Sequence, residues 1–130
     1  MVEKNGKVLR DKKLTKLKEK IGELDCQLGL AVIQVGNDEA SKVYVRQKEK
    51  LALELGYKFV HKVFKEDVEQ DKLIRYIKKL NKDESIDGIL VQMPLPKHLD
   101  SSVIQNTIDS YKDVDGLTFI NAGRLVQGMP

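Results

Sequence analysis

The stretch Gly29-Leu30-Ala31-Val32-Ile33-Gln34-Val35-Gly36 is a short, almost continuous apolar run closed at both ends by glycine. Such a run is expected of a strand buried on both faces, the usual condition inside a parallel sheet. It reads as a central strand over Leu30 to Val35. Downstream, Tyr57 to Phe64 is rich in aromatic and branched residues and reads as a second strand, and Ile89-Leu90-Val91, following Asp87-Gly88, as a third. Helical patterns fill the intervals. The first covers about Lys7 to Asp25, with Leu14, Leu17, Ile21 and Leu24 at spacings of three and four. The second is bracketed by the Gly36-Asn37-Asp38 bend, which supplies an N-cap, and by Gly56 after Leu55. Asp67 with Gln70 makes a capping-box pattern opening a third helix, with Leu73, Ile74, Ile77 and Leu80 inward. Asp100 caps a short fourth helix through Val103, Ile104 and Ile108. This alternation predicts an α/β fold, a three-layer αβα domain with a mostly parallel sheet. From Tyr111 to Pro130 the pattern is irregular, with glycines at 116, 123 and 128 and no internal repeats.

At 130 residues the expectation is one domain, residues 1–130, able to bury a core without metal or disulfide support. A hydrophobic fraction of 41% and a charged fraction of 33%, with no long apolar run and no signal-peptide core in Met1 to Arg10, point to a cytosolic protein that does not span a membrane. Cys26 is the sole cysteine, which excludes an internal disulfide and a thiolate metal cluster and suits a structural thiol. His61 and His98 lack any ligand spacing, so no metal is assigned. The net charge of +3 owes much to Lys12, Lys13, Lys16, Lys18 and Lys20, which circle the first helix as a solvated face. Without interleaved aromatic residues that run does not read as a nucleic-acid surface.

Chemistry is suggested by Lys48. Positions 44, 48, 51 and 55 share one helical stripe, and Tyr44, Leu51 and Leu55 make it look inward, whereas Lys48 interrupts it. Lysine stems commonly lie along apolar surface with the ammonium in water. A lysine drawn toward an apolar face, however, loses solvation of its charged form, which suits it to proton transfer. A second signal is Gln92-Met93-Pro94-Leu95-Pro96, which ends the third strand abruptly. That places Gln92 at the carboxyl end of the sheet, where open α/β sheets bind ligands.

Taken together, Ser41-x-x-Tyr44-Val45-x-x-Lys48, Asp87-Gly88-Ile89-Leu90-Val91-Gln92-Met93-Pro94-Leu95-Pro96, Lys112-Asp113-Val114-Asp115-Gly116-Leu117 and Asn121-Ala122-Gly123-Arg124-Leu125 resemble the bifunctional methylenetetrahydrofolate dehydrogenase/cyclohydrolase family, in its N-terminal catalytic domain. The resemblance runs from about Asn5 to Gly128. It implies that Lys48 is the catalytic lysine, that Tyr44 packs on the folate ring system and helps place Lys48, and that Gln92 assists by hydrogen bonding. It further implies that Asp115 holds the pterin and that Val91, Met93 and Pro94 line the folate pocket, Met93 standing where the family often has leucine. The implied chemistry is one-carbon interconversion of tetrahydrofolate derivatives, combining oxidoreductase and hydrolase activities.

One departure from the family pattern stands out. The family continues into an NAD(P)-binding Rossmann domain, whereas no glycine-rich phosphate fingerprint follows a strand here, Gly36-Asn37-Asp38-Glu39 included. The expectation is therefore the folate half of the enzyme. NAD(P) would be reached only through a second, separate dinucleotide-binding domain, and hydride transfer by this chain alone is not expected. A folate-binding or interaction remnant without turnover is the alternative, and nothing in the residues chooses between NAD and NADP.

Overall fold

The structure, a computed structural model, describes residues 27–114 together with positions 12, 15, 16 and 19. Those four isolated positions are helical, on the segment where a first helix is expected. The remainder of that segment, Cys26 and all residues from Asp115 onward lie outside the described residues.

Strand β1 (Gly29–Val35) pairs in parallel with β2 (Lys58–Phe64) on one side and with β3 (Gly88–Val91) on the other, giving the order β2-β1-β3. The register runs from Gly29 opposite Lys58 to Val35 opposite Phe64, and from Leu30 opposite Gly88 to Ile33 opposite Val91. The connections are helix α1 (Glu39–Glu54) between β1 and β2, and α2 (Gln70–Lys82) between β2 and β3. A short helix α3 (Ser101–Thr107) follows β3.

Because side chains alternate across a strand, β1 serves two cores at once. Ala31, Ile33 and Val35 pack with Ile89 and Val91 against Leu73, Ile77 and Leu80 of α2 and Ile104 of α3. On the opposite face Val32 and Leu90 pack with Val45 of α1. Helices thus cover both faces, which is the three-layer α/β arrangement expected. β2 starts at Lys58 rather than Tyr57 and, among the described residues, lies at the edge of the sheet, most of its side chains exposed or half-buried. Past α3, Asp113 makes a parallel bridge to Ile89, with Ile89 N–H donating to the Lys112 carbonyl at 2.7 Å.

Turn chemistry is partly as expected. Gly56 adopts φ +80°, and the Gly56 and Tyr57 amides donate to the Leu53 and Ala52 carbonyls at 3.1 and 2.8 Å, a Schellman ending for α1. Asp100 accepts from the Ser102 and Val103 amides at the start of α3. The Asp67/Gln70 capping box does not form. Val68 is buried in the core, so Asp67 sits in the preceding turn and Glu69 takes the N-cap position without a side-chain bond. Gln70 instead accepts from the Asp100 amide at 2.7 Å.

The amino end of the sheet is clamped through Gly29. Its amide donates to Asp87 Oδ2 at 2.8 Å and its carbonyl accepts from the Asp87 amide at 2.7 Å. A Cβ at this position would collide with the Ser85 carbonyl oxygen, a backbone atom that cannot swing aside. Gly29→Ala should therefore lower stability by about 1–3 kcal/mol, read as a lower urea midpoint at unchanged slope. An unchanged midpoint would show that the clamp tolerates a methyl group.

Candidate active site

Helix α1 turns a stripe toward the sheet at positions 41, 45, 48, 52 and 55, where Ser41, Val45, Ala52 and Leu55 are buried and Lys48 is half-buried. Lys48 does lie on the inward stripe. Tyr44 does not: its ring flanks the stripe and is 55% exposed, and Leu51 is half-buried. The inward register is set by Val45, which fits between Val32 and Leu90. Choosing Val45 rotates Tyr44 outward by one helical position.

The reach of Lys48 is met by the end of β3. Gln92 extends the β3 ladder by one residue, its amide donating to the Ile33 carbonyl at 2.8 Å, and its side chain is 9% exposed. Lys48 Nζ donates to Gln92 Oε1 at 2.7 Å, and Gln92 Nε2 donates to the Met93 carbonyl at 3.3 Å. That second bond turns the amide oxygen toward the ammonium. Such a charge-assisted bond is stronger than one between neutral groups.

Val91 is buried, Met93 half-buried and Pro94 exposed, and the Met93-Pro94 peptide is cis. A cavity of about 340 Å³ adjoins Pro94, bordered by Val35, Gly36, Asp38, Glu66, Leu95 and Pro96 at the carboxyl end of the sheet. A larger one of about 540 Å³ is bordered by residues between Lys62 and Arg75 and touches none of the candidate residues. Asp115 lies outside the described residues.

Ser41 is a participant to which sequence reasoning gave no role. The residue is 3% exposed, and its hydroxyl lies 3.0 Å from Asp38 Oδ2 and 3.3 Å from the Met93 carbonyl. The single O–H serves both acceptors and ties the start of α1 to the segment after β3. The available signal was its spacing, one helical turn before Val45 on the inward stripe.

The β1–α1 turn does not suit a dinucleotide. A pyrophosphate on a helix N-terminus needs close-packed glycine backbone and an uncompensated positive dipole end. Here Gly36 is followed by Asn37, Asp38 and Glu39, which puts two acidic residues at the N-terminus of α1, Asp38 at the N-cap and Glu39 in the first turn. Among the described residues no three or more of His, Cys, Asp and Glu gather as metal ligands, and no helix is long and apolar enough to cross a membrane.

This arrangement has close counterparts among known proteins. The family described as tetrahydrofolate dehydrogenase/cyclohydrolase, catalytic domain, matches residues 5–115. The chain belongs to this family. Among curated relatives, the bifunctional protein FolD of Acetivibrio thermocellus is 45% identical over 129 residues, covering 97% of this chain and 45% of the relative. That of Campylobacter concisus is 51% identical over 100 residues, covering 77% of this chain and 35% of the relative. The crystal structure of FolD, a methylenetetrahydrofolate dehydrogenase/cyclohydrolase, from Campylobacter jejuni superposes with a TM-score of 0.92 at 42% identity, covering 95% of this chain and 45% of that one. The Trypanosoma brucei enzyme, solved with NADP cofactor and an inhibitor, gives 0.87 at 31% identity, covering 91% of this chain and 41% of that one. The chain thus spans less than half the length of the relatives it matches.

The Lys48–Gln92 contact joins two elements far apart in sequence and is open to direct measurement. A double-mutant cycle on Lys48→Met and Gln92→Leu should give a coupling energy of about 1 kcal/mol in unfolding free energy. Coupling indistinguishable from zero would mean the bond is not maintained in solution.

Proposed function

We propose that this chain is the folate half of a methylenetetrahydrofolate dehydrogenase/methenyltetrahydrofolate cyclohydrolase, with Lys48 as the proton-transferring group of the hydrolytic step. The observation that carries the reading is the 2.7 Å bond from Lys48 Nζ to Gln92 Oε1 at the carboxyl end of the sheet. It unites a proton carrier with an amide that can both donate and accept.

In the hydrolysis, the oxygen of water bonds to the cationic methenyl carbon and a proton leaves that water. One carbon–nitrogen bond of the five-membered ring then breaks: the departing nitrogen takes up a proton, and the remaining hydroxyl proton is released to solvent as the carbon–oxygen double bond of the formyl group forms, so that one proton is lost overall. Lys48 receives the first proton in its amine form and returns one to the nitrogen, a general base and then a general acid. Gln92 holds Lys48 over the reacting carbon in both forms. The exposed ring of Tyr44, one turn before Lys48, offers a flat stacking surface for the folate ring system. Val91, Met93 and Pro94 flank Gln92 and would form the pocket wall, and Asp115 would accept paired hydrogen bonds from the pterin edge. The family match, which extends through residue 115, supports these assignments.

The dehydrogenase half of the reaction needs NAD(P). Two carboxylates at the one glycine turn that leads from strand to helix among the described residues argue that a separate dinucleotide-binding domain supplies that site.

Lys48→Met should reduce hydrolysis of methenyltetrahydrofolate at least 100-fold, followed by loss of substrate absorbance, with the far-UV circular dichroism unchanged. Turnover equal to that of the parent would remove Lys48 from the mechanism. With methylenetetrahydrofolate and NAD or NADP, the 130-residue chain should form no reduced dinucleotide until a dinucleotide-binding domain is added, since holding one reactant forfeits the proximity that drives hydride transfer. Reduction by the chain alone would place a dinucleotide site on it and overturn the half-enzyme reading.

A further inference from the structure

Gln34 is a polar residue that the mechanism above does not use. It lies in the middle of the central strand, is 2% exposed, and has a buried Nε2 with no hydrogen-bond partner. Its Oε1 lies 3.1 Å from His61 Nε2. An amide oxygen only accepts, so His61 donates, and that bond fixes which end of the amide faces β2. An unmade buried donor costs stability, and an apolar residue of the same size would avoid the cost. The position is therefore one where the fold alone favours leucine or methionine.

The register shows what the amide stands beside. Ile33 pairs with Val91, and the Gln92 amide donates to the Ile33 carbonyl, so the ladder continues one step and sets Gln34 beside Gln92 in the neighbouring strand. Parallel strands lie roughly 4.8 Å apart. Two residues earlier, Val32 and Leu90 share the face covered by Val45 of α1, so Gln34 and Gln92 belong to that same face, where Lys48 reaches down. Gln92 Oε1 has a second lone pair beyond the one engaged by Lys48.

We propose that Gln34 is a positioning residue, whose Nε2, which makes no direct hydrogen bond, reaches the Gln92 amide through one buried water and holds its oxygen toward Lys48. This rests on reading Lys48 and Gln92 as the reactive pair. The chemical reason is donor repulsion. A flipped Gln92 would present its NH2 group to the lysine, and a donor supplied from β1 favours oxygen on the shared side.

The test compares Gln34→Leu with the parent and with Lys48→Met, all as the 130-residue chain. Gln34→Leu is expected to keep or raise the melting temperature, to lower kcat for methenyltetrahydrofolate hydrolysis roughly 10- to 100-fold with little change in KM, and to shift the Gln92 side-chain amide resonances. A structural role would instead lower the melting temperature and spare kcat per folded molecule. If Lys48→Met is silent while Gln34→Leu matches the parent in kcat and in the Gln92 resonances, the Gln34 role is overturned and the reactive pair stands. If Lys48→Met hydrolyses as well as the parent, the reactive pair itself is wrong. Should the parent show no turnover, the Gln92 resonances decide: a shift in Gln34→Leu supports the contact and unshifted resonances reject it.

Discussion

Everything in the domain is indexed to the parallel register of β1. Its backbone supplies hydrogen bonds to both neighbours, so sliding it one residue against either would turn each inward side chain outward. Its side chains divide between two cores, Ala31, Ile33 and Val35 toward α2 and α3, Val32 toward α1. The same register sets the height at which β3 ends. Gln92 meets Lys48 because Ile33 opposes Val91 and the ladder runs one residue further, while Val45 locks the rotation of α1. Register between strands and rotation of one helix thus locate an amide and an ammonium 44 positions apart in sequence within 2.7 Å.

The three strands and the α1, α2 and α3 helices were legible because apolar periodicity and glycine, Asp and proline punctuation agree there. The clearest misreading is Tyr44. The stripe 44, 48, 51, 55 and the stripe 41, 45, 48, 52, 55 have the same helical spacing and share Lys48 and Leu55, so periodicity cannot separate them. A smaller, branched side chain fits between Val32 and Leu90, and the tyrosine is left at the flank. The capping box failed for a similar reason. Burial of Val68 outweighed a local hydrogen bond between Asp67 and the start of α2, and Gln70 found a more distant partner in Asp100.

The site was legible in its charged members and opaque in its neutral ones. Lys48 stands out because a lysine on an apolar stripe conflicts with the pattern around it, and Gln92 because two prolines end the strand behind it. Ser41 and Gln34 raise no such conflict. Serine near a helix start is ordinary, and one amide in an apolar run reads as a strand residue until the register shows its neighbour. What each polar group contacts depends on pairings between segments, which spacing along one chain does not encode.

The edge position of β2 bears on how this protein behaves at high concentration. Among the described residues β2 has one strand partner, and a strand so placed offers a row of backbone donors and acceptors to any other extended chain, the geometry from which sheet-to-sheet aggregation grows. The sequence Lys58-Phe59-Val60-His61-Lys62-Val63-Phe64 would be a hazardous edge if it were wholly apolar. Lys58 and Lys62 are exposed along it, with the Lys62 ammonium 5.3 Å from the Phe64 ring centre and 5.9 Å from that of Tyr76. A second molecule adding in register would have to bring like charges together and desolvate them. The cations along β2 thereby act as gatekeepers, keeping a strand rich in valine and phenylalanine from serving as a template for its own copies.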